Sequence, residues 1–493
     1  MLRKIRIVLA AIFLIAITAL FCDYTGTAAR LWGWMAKIQF LPAVLSLNFA
    51  VIIGLILLTL LFGRVYCSVI CPLGVTQDLF NWLRGKTGPK KGRKNRFHFT
   101  RPLQWLRVAV LAIFVVLFVT GFASMAMFIA PYSAFGRIAS SLIAPVYDRM
   151  CAGMVNAMGP EDFTFYTVDS FAPTTAAIIV ASVSLAVVAV AAWLGGRIYC
   201  NSVCPVGTVL GFLSRFSLFR PVIDKSACIS CGKCARRCKA SCIDPVNHRI
   251  DLTRCVACMD CLDNCSTHAI SYTARRPHEP KKTGNPDSGR RSALAVGAVA
   301  LTAALSHAQS KTTDGGLAPI IPKERPKRKS KIVPPGALSV ANLESHCTSC
   351  QLCISQCPNQ VLRPSMEMAT FMQPEVSYEA GYCRPECTAC SDVCPTGAIR
   401  PVGHDEKSSI QIGRAVVDRD LCFAANGSRS CGACSRHCPA GAIMMVPVSE
   451  GGDRLMPVVN ESLCIGCGAC ENLCPSRPIS AIRVEGLPVH RYI

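Results

Sequence analysis

The stretch CISCGKCARRC, residues 228–238, contains four cysteines separated by two, two and three residues. A second set with the same spacing follows at residues 255–265, and four further sets occur between residues 347 and 474. Two of these sets have one longer gap each, of three residues after Cys383 and of eight residues after Cys422. The six sets account for 24 of the 31 cysteines. Such regular repetition favours metal ligation over disulfide bonds.

The spacing of the cysteines indicates iron–sulfur clusters. Three thiolates two residues apart wrap one cube, and a fourth thiolate three residues further on reaches the neighbouring cube. We therefore predict α+β two-cluster ferredoxin-like domains that hold six [4Fe–4S] clusters. The predicted ligand sets are Cys228, Cys231, Cys234 and Cys265; Cys255, Cys258, Cys261 and Cys238; Cys347, Cys350, Cys353 and Cys394; Cys383, Cys387, Cys390 and Cys357; Cys422, Cys431, Cys434 and Cys474; and Cys464, Cys467, Cys470 and Cys438.

Zinc is the main alternative occupant of such sites. Zinc sites also use C-x2-C pairs, but they separate two pairs by a longer loop and do not place three cysteines at intervals of two residues. The pattern therefore favours iron–sulfur clusters. Cys242, four residues after Cys238, belongs to no set, and we expect it to be a packed thiol.

Composition indicates a membrane protein. Of the 493 residues, 51% are hydrophobic and the mean hydropathy is positive. The net charge of +22 would suit a nucleic-acid-binding protein, but no known nucleic-acid module accompanies it. Much of this charge lies beside the apolar stretches, where it is better explained by membrane topology and by attraction to anionic lipids. We therefore predict a membrane as partner and no nucleic acid.

Four apolar stretches approach the ~20 residues needed to cross the hydrocarbon core. The excess of Lys and Arg beside them predicts that the amino terminus and the loop of residues 63–106 are cytoplasmic. The outer segment of residues 131–158 is expected either along the membrane surface or as a packing hairpin. Cys22 and Cys151 fall near the outer side, where a disulfide is an option. The predicted spans are residues 5–22, 45–62, 108–129 and 176–194.

A fifth apolar stretch, residues 292–308, follows Arg290 and Arg291. It has features of a twin-arginine export signal placed inside a chain; the alternative is an amphiphilic linker that does not span. The predicted domains are a four-span membrane domain (residues 1–207), a cytoplasmic two-cluster domain (208–280), the fifth span (281–310), a basic Pro-rich linker (311–341) and a periplasmic four-cluster domain (342–493).

Two of the apolar stretches are followed by nearly the same motif, RVYCSVICPLG at residues 64–74 and RIYCNSVCPVG at residues 197–207. If each motif is helical, Cys67 and Cys71, and likewise Cys200 and Cys204, share one helix face. Both copies are expected at the cytoplasmic border of the membrane. There the four thiols could converge on a metal, a further cluster or a dithiol–disulfide site. The alternative is that they cap helices and pack against the ferredoxin domain.

The sequence argues against several other cofactors. No G-x-G-x-x-G motif opens a strand–helix unit, so direct nicotinamide oxidation is unsupported. None of the nine histidines lies within the first four predicted spans, which excludes a bis-histidine haem b there. No flavin motif is seen either. Closely spaced one-electron centres without these cofactors indicate an electron-transfer chain.

The combination of these motifs resembles a known family. Four spans, two C-x3-C-P motifs and a following two-cluster ferredoxin at residues 228–265 are similar to NapH-type membrane polyferredoxins of periplasmic nitrate reductase systems. Residues 290–493 resemble the exported NapG-type partner, although Gly289 and Ser292 depart from a strong twin-arginine consensus. The chain thus resembles a NapH–NapG fusion. This implies a quinol dehydrogenase that passes electrons to a periplasmic reductase, often through a cytochrome c.

We therefore predict a multi-pass protein of the bacterial inner membrane, part of a hetero-complex, that relays electrons from membrane quinol to a periplasmic oxidoreductase. Because about 30 Å of hydrocarbon separates the two sides, we expect the quinone pool to carry electrons between the two ferredoxin domains. One alternative is a redox sensor or metal-site assembly factor that uses the C-x3-C-P thiols. A third reading keeps every domain cytoplasmic and passes electrons from a soluble donor to quinone.

Overall fold

The structure is a computed structural model that describes residues 2–23, 25–87, 97–158, 173–274, 313–314, 318–319, 321–448 and 454–493. We distinguish a helical unit, which ends at residue 217, a first α+β unit (residues 219–274) and a second α+β unit (from residue 321 onward). A two-stranded ribbon, β5 (Thr313–Asp314) with β6 (Ala318–Pro319), precedes the second α+β unit.

The helical unit alternates long apolar helices with short ones. A 3-10 turn (Met127–Ile129) follows α8, and a π-helical turn (Ala139–Ile143) joins α9 to α10. The helices are α1 (Leu2–Cys22), α2 (Thr27–Lys37), α3 (Phe40–Leu45), α4 (Phe49–Phe62), α5 (Val65–Val69), α6 (Pro72–Thr87), α7 (Gln104–Val119), α8 (Ala123–Ala126), α9 (Pro131–Ile138), α10 (Ala144–Met158), α11 (Thr175–Gly195), α12 (Ile198–Ser202) and α13 (Pro205–Ser214).

Two described helices, α1 and α11, are long and apolar enough to cross a membrane, with 21 residues each. The Thr174 side chain caps the start of α11 by accepting the Ala177 N–H, and Gly196, with φ of 73°, follows its end. A third span is obtained only if the helical segments Ala123–Ile129 and Pro131–Met154, which are bent by 82°, are taken together.

The second and third predicted spans are shorter than expected. α4 has 14 residues and α7 has 16, so they are about 21 and 24 Å long against about 30 Å of hydrocarbon. The second stretch breaks at Leu47, which is left-handed (φ 52°), and the Asn48 side chain caps α4. The third ends before Gly121 (φ 87°). The described residues thus do not support four spans, and the fifth apolar stretch lies outside them.

The segment between α8 and α10 folds into the protein. Every residue of α9 is buried, and α9 packs against α6 and α11. Tyr199 Oη donates a hydrogen bond of 2.7 Å to the Ile129 carbonyl just before α9. This part of the predicted outer segment is therefore a packing element and does not lie on a membrane surface. Cys22 and Cys151 are both free thiols, so the disulfide that we considered is not formed.

The α+β units are built from two-stranded antiparallel ribbons and one-turn helices. The first contains β1 (Phe219–Ile223) paired with β4 (Ile270–Ala274), β2 (Ile243–Asp244) paired with β3 (Arg249–Ile250), α14 (Lys233–Arg237) and α15 (Asp260–Asp263). The second contains the pairs β7 (Leu362–Pro364) with β8 (Pro374–Val376), β9 (Ile410–Val417) with β12 (Ile482–Tyr492), and β10 (Ile443–Pro447) with β11 (Leu455–Val459), together with α16 (Val340–His346), α17 (Leu352–Ser355), α18 (Ala389–Asp392), α19 (His404–Ser408), α20 (Ala433–Arg436) and α21 (Ala469–Asn472).

The basic Pro-rich segment lies against the second α+β unit from residue 321 onward. Lys323 Nζ donates to the carbonyls of Glu471 and Asn472 at 2.6 and 2.7 Å. Ile332 and Val333 are each 1% exposed. Their burial means that this segment contributes to the core of the unit.

The two α+β units contact opposite ends of α1. At its start, Arg3 forms an ion pair of 2.8 Å with Asp260 of the first unit. At its end, the Gln356 side chain of the second unit donates to the carbonyls of Leu20 and Asp23 at 2.6 and 2.5 Å. A helix of 21 residues is about 31 Å long. The two contact points are therefore separated by about the thickness of a hydrocarbon core.

Candidate iron–sulfur centres

The ligand loops of four cysteine sets share one backbone conformation. In each, the residue before the second cysteine and the residue after it are left-handed, which is uncommon for residues other than glycine. The next residue begins a one-turn helix that carries the third cysteine. Such a loop turns successive N–H groups toward one concave site, which suits an anionic group. The residue pairs are Ser230 and Gly232, Ala257 and Met259, Ser349 and Gln351, and Gly466 and Gly468.

In five of the six sets, the fourth thiol lies close enough to interact electrostatically with at least one of the three thiols with which it is predicted to share a cluster. The exchanged thiols are Cys238, Cys394, Cys357, Cys474 and Cys438, which lie beside the sets that begin at Cys255, Cys347, Cys383, Cys422 and Cys464. In the sixth set, Cys265 Sγ contacts Thr267 Oγ1 at 3.6 Å. Cys242, expected as a packed thiol, is 1% exposed, and its Sγ lies 3.5 Å from Cys238 Sγ.

The thiol sets suit a cluster better than a single ion. Across the described ranges, no group of three or more His, Cys, Asp or Glu side chains is tight enough for one metal ion. A [4Fe–4S] cube requires four thiolates set further apart. Burial raises the pKa of Cys350 to about 11 and that of Cys467 to about 12. A cationic metal core would stabilise these buried thiolates.

The two halves of the second α+β unit are joined at their cluster loops. The Cys383 N–H donates to the Cys467 carbonyl at 2.9 Å, and Tyr378 Oη donates to the Gly466 carbonyl at 2.5 Å. Together with the exchanged thiols, this contact arranges the four sets in one row. The row runs from the Cys422 set through the Cys464 and Cys383 sets to the Cys347 set.

The thiols of Cys67, Cys71, Cys200 and Cys204 form one buried site, here called the four-thiol site. Each is 3% or 4% exposed, and they are close enough to influence one another's ionisation. The single helix that we considered for each motif is not formed. The N–H of Cys71 bonds to the carbonyl of Tyr66 five residues earlier, and a new helix begins at the following proline.

Two arginines cross between the duplicated motifs. Arg64 donates to the Cys200 carbonyl at 3.1 Å and lies 3.7 Å from Cys67 Sγ. Arg197 donates to the Cys67 carbonyl at 2.6 Å and lies 4.0 Å from Cys200 Sγ. Both arginines are 0% exposed. Each motif therefore holds the other through its first residue.

The last glycine of each motif is required by the same packing. A Cβ on Gly74 would lie 2.2 Å from the Cys67 carbonyl oxygen, and one on Gly207 would lie 2.2 Å from the Cys200 carbonyl oxygen. The nearest other atoms belong to Arg197 and Arg64, at 2.8 and 2.9 Å. The duplicated C-P-x-G sequences thus leave room for the arginines.

Asp78 connects the four-thiol site to the first α+β unit. Its carboxylate pairs with Arg6 at 2.9 Å, with Arg197 at 2.8 Å and with Lys239 at 3.6 Å. Burial alone would raise the pKa of Asp78, but these three cations hold it well below the usual range. Asp78 therefore stays ionised and fixes Arg197 next to the thiols.

The four-thiol site is in contact with the first α+β unit through backbone groups. Arg64 donates to the Thr253 carbonyl at 3.1 Å, and the Asn201 amide donates to the Ala240 carbonyl at 3.3 Å. The Arg197 N–H donates to the Lys239 carbonyl at 2.8 Å. The ligand loops of Cys238 and Cys255 are therefore packed directly beside it.

Helix α9 connects the helical unit to the second α+β unit. Ser133 Oγ donates to the Thr348 carbonyl at 2.5 Å, and Ser140 Oγ, in the π-helical turn that follows α9, donates to Gln351 Oε1 at 2.7 Å. A Cβ on Gly136 would lie 2.3 Å from the Cys350 carbonyl oxygen. The ligand loop of the Cys347 set thus rests on α9.

A cavity of about 690 Å³ lies where α1 and α6 meet the first α+β unit. Its wall combines cations with two aromatic rings and one buried amide. The lining residues are Arg3, Asn81, Trp82, Gly85, Lys86, Phe97, Lys233, Arg236, Arg237, Lys239, Asp260 and Asn264.

Sequence reasoning missed several residues of these sites. Arg64 and Arg197, and Gly74 and Gly207, occupy equal positions in the two quoted motifs, so their repetition could have revealed them. α9 gave no comparable signal. Its role follows from contacts between parts of the chain more than 200 residues apart.

Comparison with known proteins gives independent support for iron–sulfur chemistry. A family described as "4Fe-4S binding domain" matches residues 46–90 and 177–225. A second, described as "4Fe-4S dicluster domain", matches residues 429–477. The first match covers both halves of the four-thiol site.

Three relatives illustrate the similarity. The methylamine utilization ferredoxin-type protein MauN of Paracoccus denitrificans is 30% identical over 38% of this chain and 52% of its own. The putative electron transport protein YccM of Escherichia coli is 25% identical over 40% and 47%. The methylamine utilization ferredoxin-type protein MauM of Methylobacillus flagellatus is 32% identical over 29% and 64%.

The chain spans about half the length of the curated relatives that it matches. The matched families and relatives agree with the repeated thiol sets. The chain therefore carries 4Fe–4S ferredoxin-type domains and is homologous to ferredoxin-type electron-transfer proteins.

Proposed function

We propose that this iron–sulfur electron-transfer protein is a quinol dehydrogenase that relays electrons from membrane quinol to a periplasmic oxidoreductase or cytochrome c. The observation that carries the proposal is the attachment of the two α+β units to opposite ends of the apolar helix α1. Redox centres that lie at a membrane can receive electrons from a lipid-soluble reductant. Quinol is such a reductant, and its oxidation releases two electrons and two protons.

The six thiol sets would hold six [4Fe–4S] clusters, each of which accepts and releases one electron when bound. The protein supplies the thiolates and the left-handed loops. The first α+β unit would lie in the cytoplasm and the second in the periplasm, as in a NapH–NapG arrangement. The names of MauN and MauM connect those ferredoxin-type relatives with methylamine utilization, which supports a separate oxidoreductase as redox partner.

The cavity beside Asn81 is our candidate site for the quinol headgroup. Asn81 is 4% exposed, and its Oδ1 has no hydrogen-bond partner among the described residues, so it can accept a bond from a quinol hydroxyl. Trp82 and Phe97 supply apolar faces for the ring. Pockets for small ligands commonly combine such surfaces with a few polar groups.

Charge around the cavity favours the first step of quinol oxidation. Arg3 and Lys239 pair with Asp260 at the wall, and the remaining cations favour the quinolate over the neutral quinol. Asp260 also interacts electrostatically with Cys258. An electron that leaves the cavity would therefore enter the cluster held by the Cys255 set.

Substitution of Asn81 tests the quinol site. We expect Asn81→Leu to raise the KM for menadiol about three- to tenfold, because one hydrogen bond to the substrate is lost. The rate would be followed as menadiol-dependent reduction of the clusters in detergent-solubilised protein, under anaerobic conditions. Asn48→Ala is the matched control, since Asn48 caps α4 outside the cavity, and its KM should not change.

Two results would contradict the proposal. Cluster reduction by dithionite but not by menadiol would exclude quinol as the reductant. If menadiol reduces the clusters with the same KM in Asn81→Leu and in the wild type, the protein oxidises quinol, but not in this cavity. Stoichiometric copper binding without a quinol response would favour the assembly-factor alternative.

A further inference from the structure

We propose that Cys67, Cys71, Cys200 and Cys204 together hold a seventh [4Fe–4S] cluster, which joins the two α+β units into one continuous electron-transfer chain. The spacing of the chain's other cysteines assigns six clusters and leaves these four thiols unused. Each of the two segments that match the 4Fe–4S binding family supplies only two of them. A cube with four thiolate ligands therefore requires both segments at one site, and the structure brings them together.

The charge of the site requires an anion. Arg64 is fully buried, and its hydrogen-bond partners within the described part of the chain are Asn201, the Thr253 carbonyl, Cys67 and the Cys200 carbonyl. None of these is a carboxylate. A buried guanidinium without a counter-charge is strongly destabilising. Four thiolates around an oxidised cube carry a net charge of about −2, which would balance Arg64 and add to the charge that Asp78 already supplies to Arg197.

Other occupants fit less well. Among the residues that the structure describes, no set of three or more cysteines lies close enough together to hold a single metal ion. A disulfide would leave Arg64 without an anion, and all four cysteines are free thiols. Purely structural thiols explain neither the buried arginines nor the glycines that make room for them. A shared cluster accounts for both.

The position of the site favours a relay. On one side, Arg64 interacts electrostatically with Cys67, Cys200 and Cys204, and also with Cys255 of the first α+β unit. On the other side, Tyr199 is close to Cys200 and Cys204 and to Arg137 of α9. Arg137 in turn is close to Cys350 of the second unit. The four-thiol site thus lies between the nearest cluster of each unit.

The redox step needs no further reactant. One electron would arrive from the cluster of the Cys255 set and reduce the seventh cluster, whose net charge would become more negative by one. One electron would then leave for the cluster of the Cys347 set and restore the oxidised state. No covalent bond forms or breaks, and no proton is transferred. Diffusing quinone, which the sequence suggested as carrier between the units, would then not be required for this transfer.

Iron content tests the proposal on the full chain purified anaerobically in detergent. Seven clusters predict about 28 iron and 28 acid-labile sulfide per chain, whereas six predict about 24. We expect Cys71→Ser to reduce the iron count from about 28 to about 24, together with loss of one cluster signal in redox-titrated EPR. Cys22→Ser is the control, because Cys22 is buried but outside every thiol set, and its count should stay at about 28.

The iron count of the wild-type protein tests the seventh cluster even if the Cys71→Ser variant does not fold and accumulate. A count of about 28 in the wild type supports the seventh cluster. A count of about 24, or one equivalent of zinc or copper that Cys71→Ser removes, would overturn it. Neither the iron count nor the EPR titration depends on quinol. Failure of the seventh-cluster proposal can therefore be distinguished from failure of the proposed quinol reaction.

Discussion

Buried arginines determine the local structure around the proposed clusters. Arg64 and Arg197 hold the two C-x3-C-P motifs together, and Arg137 of α9 lies close to Cys350 of the Cys347 set. In the second α+β unit, Arg328 forms two hydrogen bonds to the carboxylate of Glu471, at 3.0 and 2.7 Å, with both side chains 3% exposed. Glu471 also accepts the Val484 N–H. These cations fix backbone segments that apolar packing alone would leave undefined.

The Arg328–Glu471 pair should contribute strongly to stability. Arg328→Ala leaves a buried carboxylate without its partner, and we expect a loss of about 3–5 kcal/mol in the free energy of unfolding of the second α+β unit. Arg414→Ala is the control, since Arg414 and Glu461 are about half exposed, and its cost should be below about 1 kcal/mol. Guanidinium titration followed by cluster absorbance measures both. Equal effects of the two substitutions would contradict this account.

At the scale of elements, hydropathy identified apolar segments, but it did not show whether each segment contacts lipid or other parts of the protein. Residues 45–62 and 108–129 look like spans, yet α4 and α7 are shortened by breaks at Leu47 and Gly121. α9 is buried against α6, α11 and the loop of Cys350, as the packing alternative for this segment implied, but its sequence did not indicate these partners. Cysteine spacing, by contrast, is a local signal, because the geometry of a cube fixes short intervals whatever the rest of the fold does. The ligand sets assigned from it stay predictions.

Strand β12 carries a histidine whose protonation should weaken the second α+β unit. Burial lowers the pKa of His490 from 6.5 to about 4, and both ring nitrogens lack a hydrogen-bond partner in the described ranges. The unfolded chain binds this proton more readily, so stability is unaffected above about pH 7 and decreases as the pH falls through 6.5 toward 4. At pH 5 the loss should be about 2 kcal/mol.

Replacement of His490 by an apolar residue isolates this effect. We expect His490→Leu to reduce the difference in unfolding free energy between pH 7 and pH 5 by about 2 kcal/mol, measured on the same guanidinium transition. His437→Leu, which changes an exposed histidine, should leave that difference unchanged. An unaltered pH dependence in His490→Leu would show that His490 is not buried in its neutral form.

At the scale of the whole molecule, the sequence predicted iron–sulfur centres, but not their arrangement in space. The quinone carrier was inferred because a bilayer appeared to separate the two ferredoxin domains. The contact of Ile129, just before α9, with Tyr199 and the contact of α9 with the Cys350 loop are long-range in the chain and leave no periodic signal. They place the four-thiol site between the units and make a direct route possible.

Electron transfer across a sealed membrane tests the central claim, that the chain conducts electrons from one α+β unit to the other. The full chain would be reconstituted without quinone in liposomes that contain oxidised cytochrome c, and dithionite, which does not cross lipid, would be added outside. The account predicts that the enclosed cytochrome c is reduced in these liposomes but not in protein-free ones. Reduction that begins only when quinone is added would contradict it.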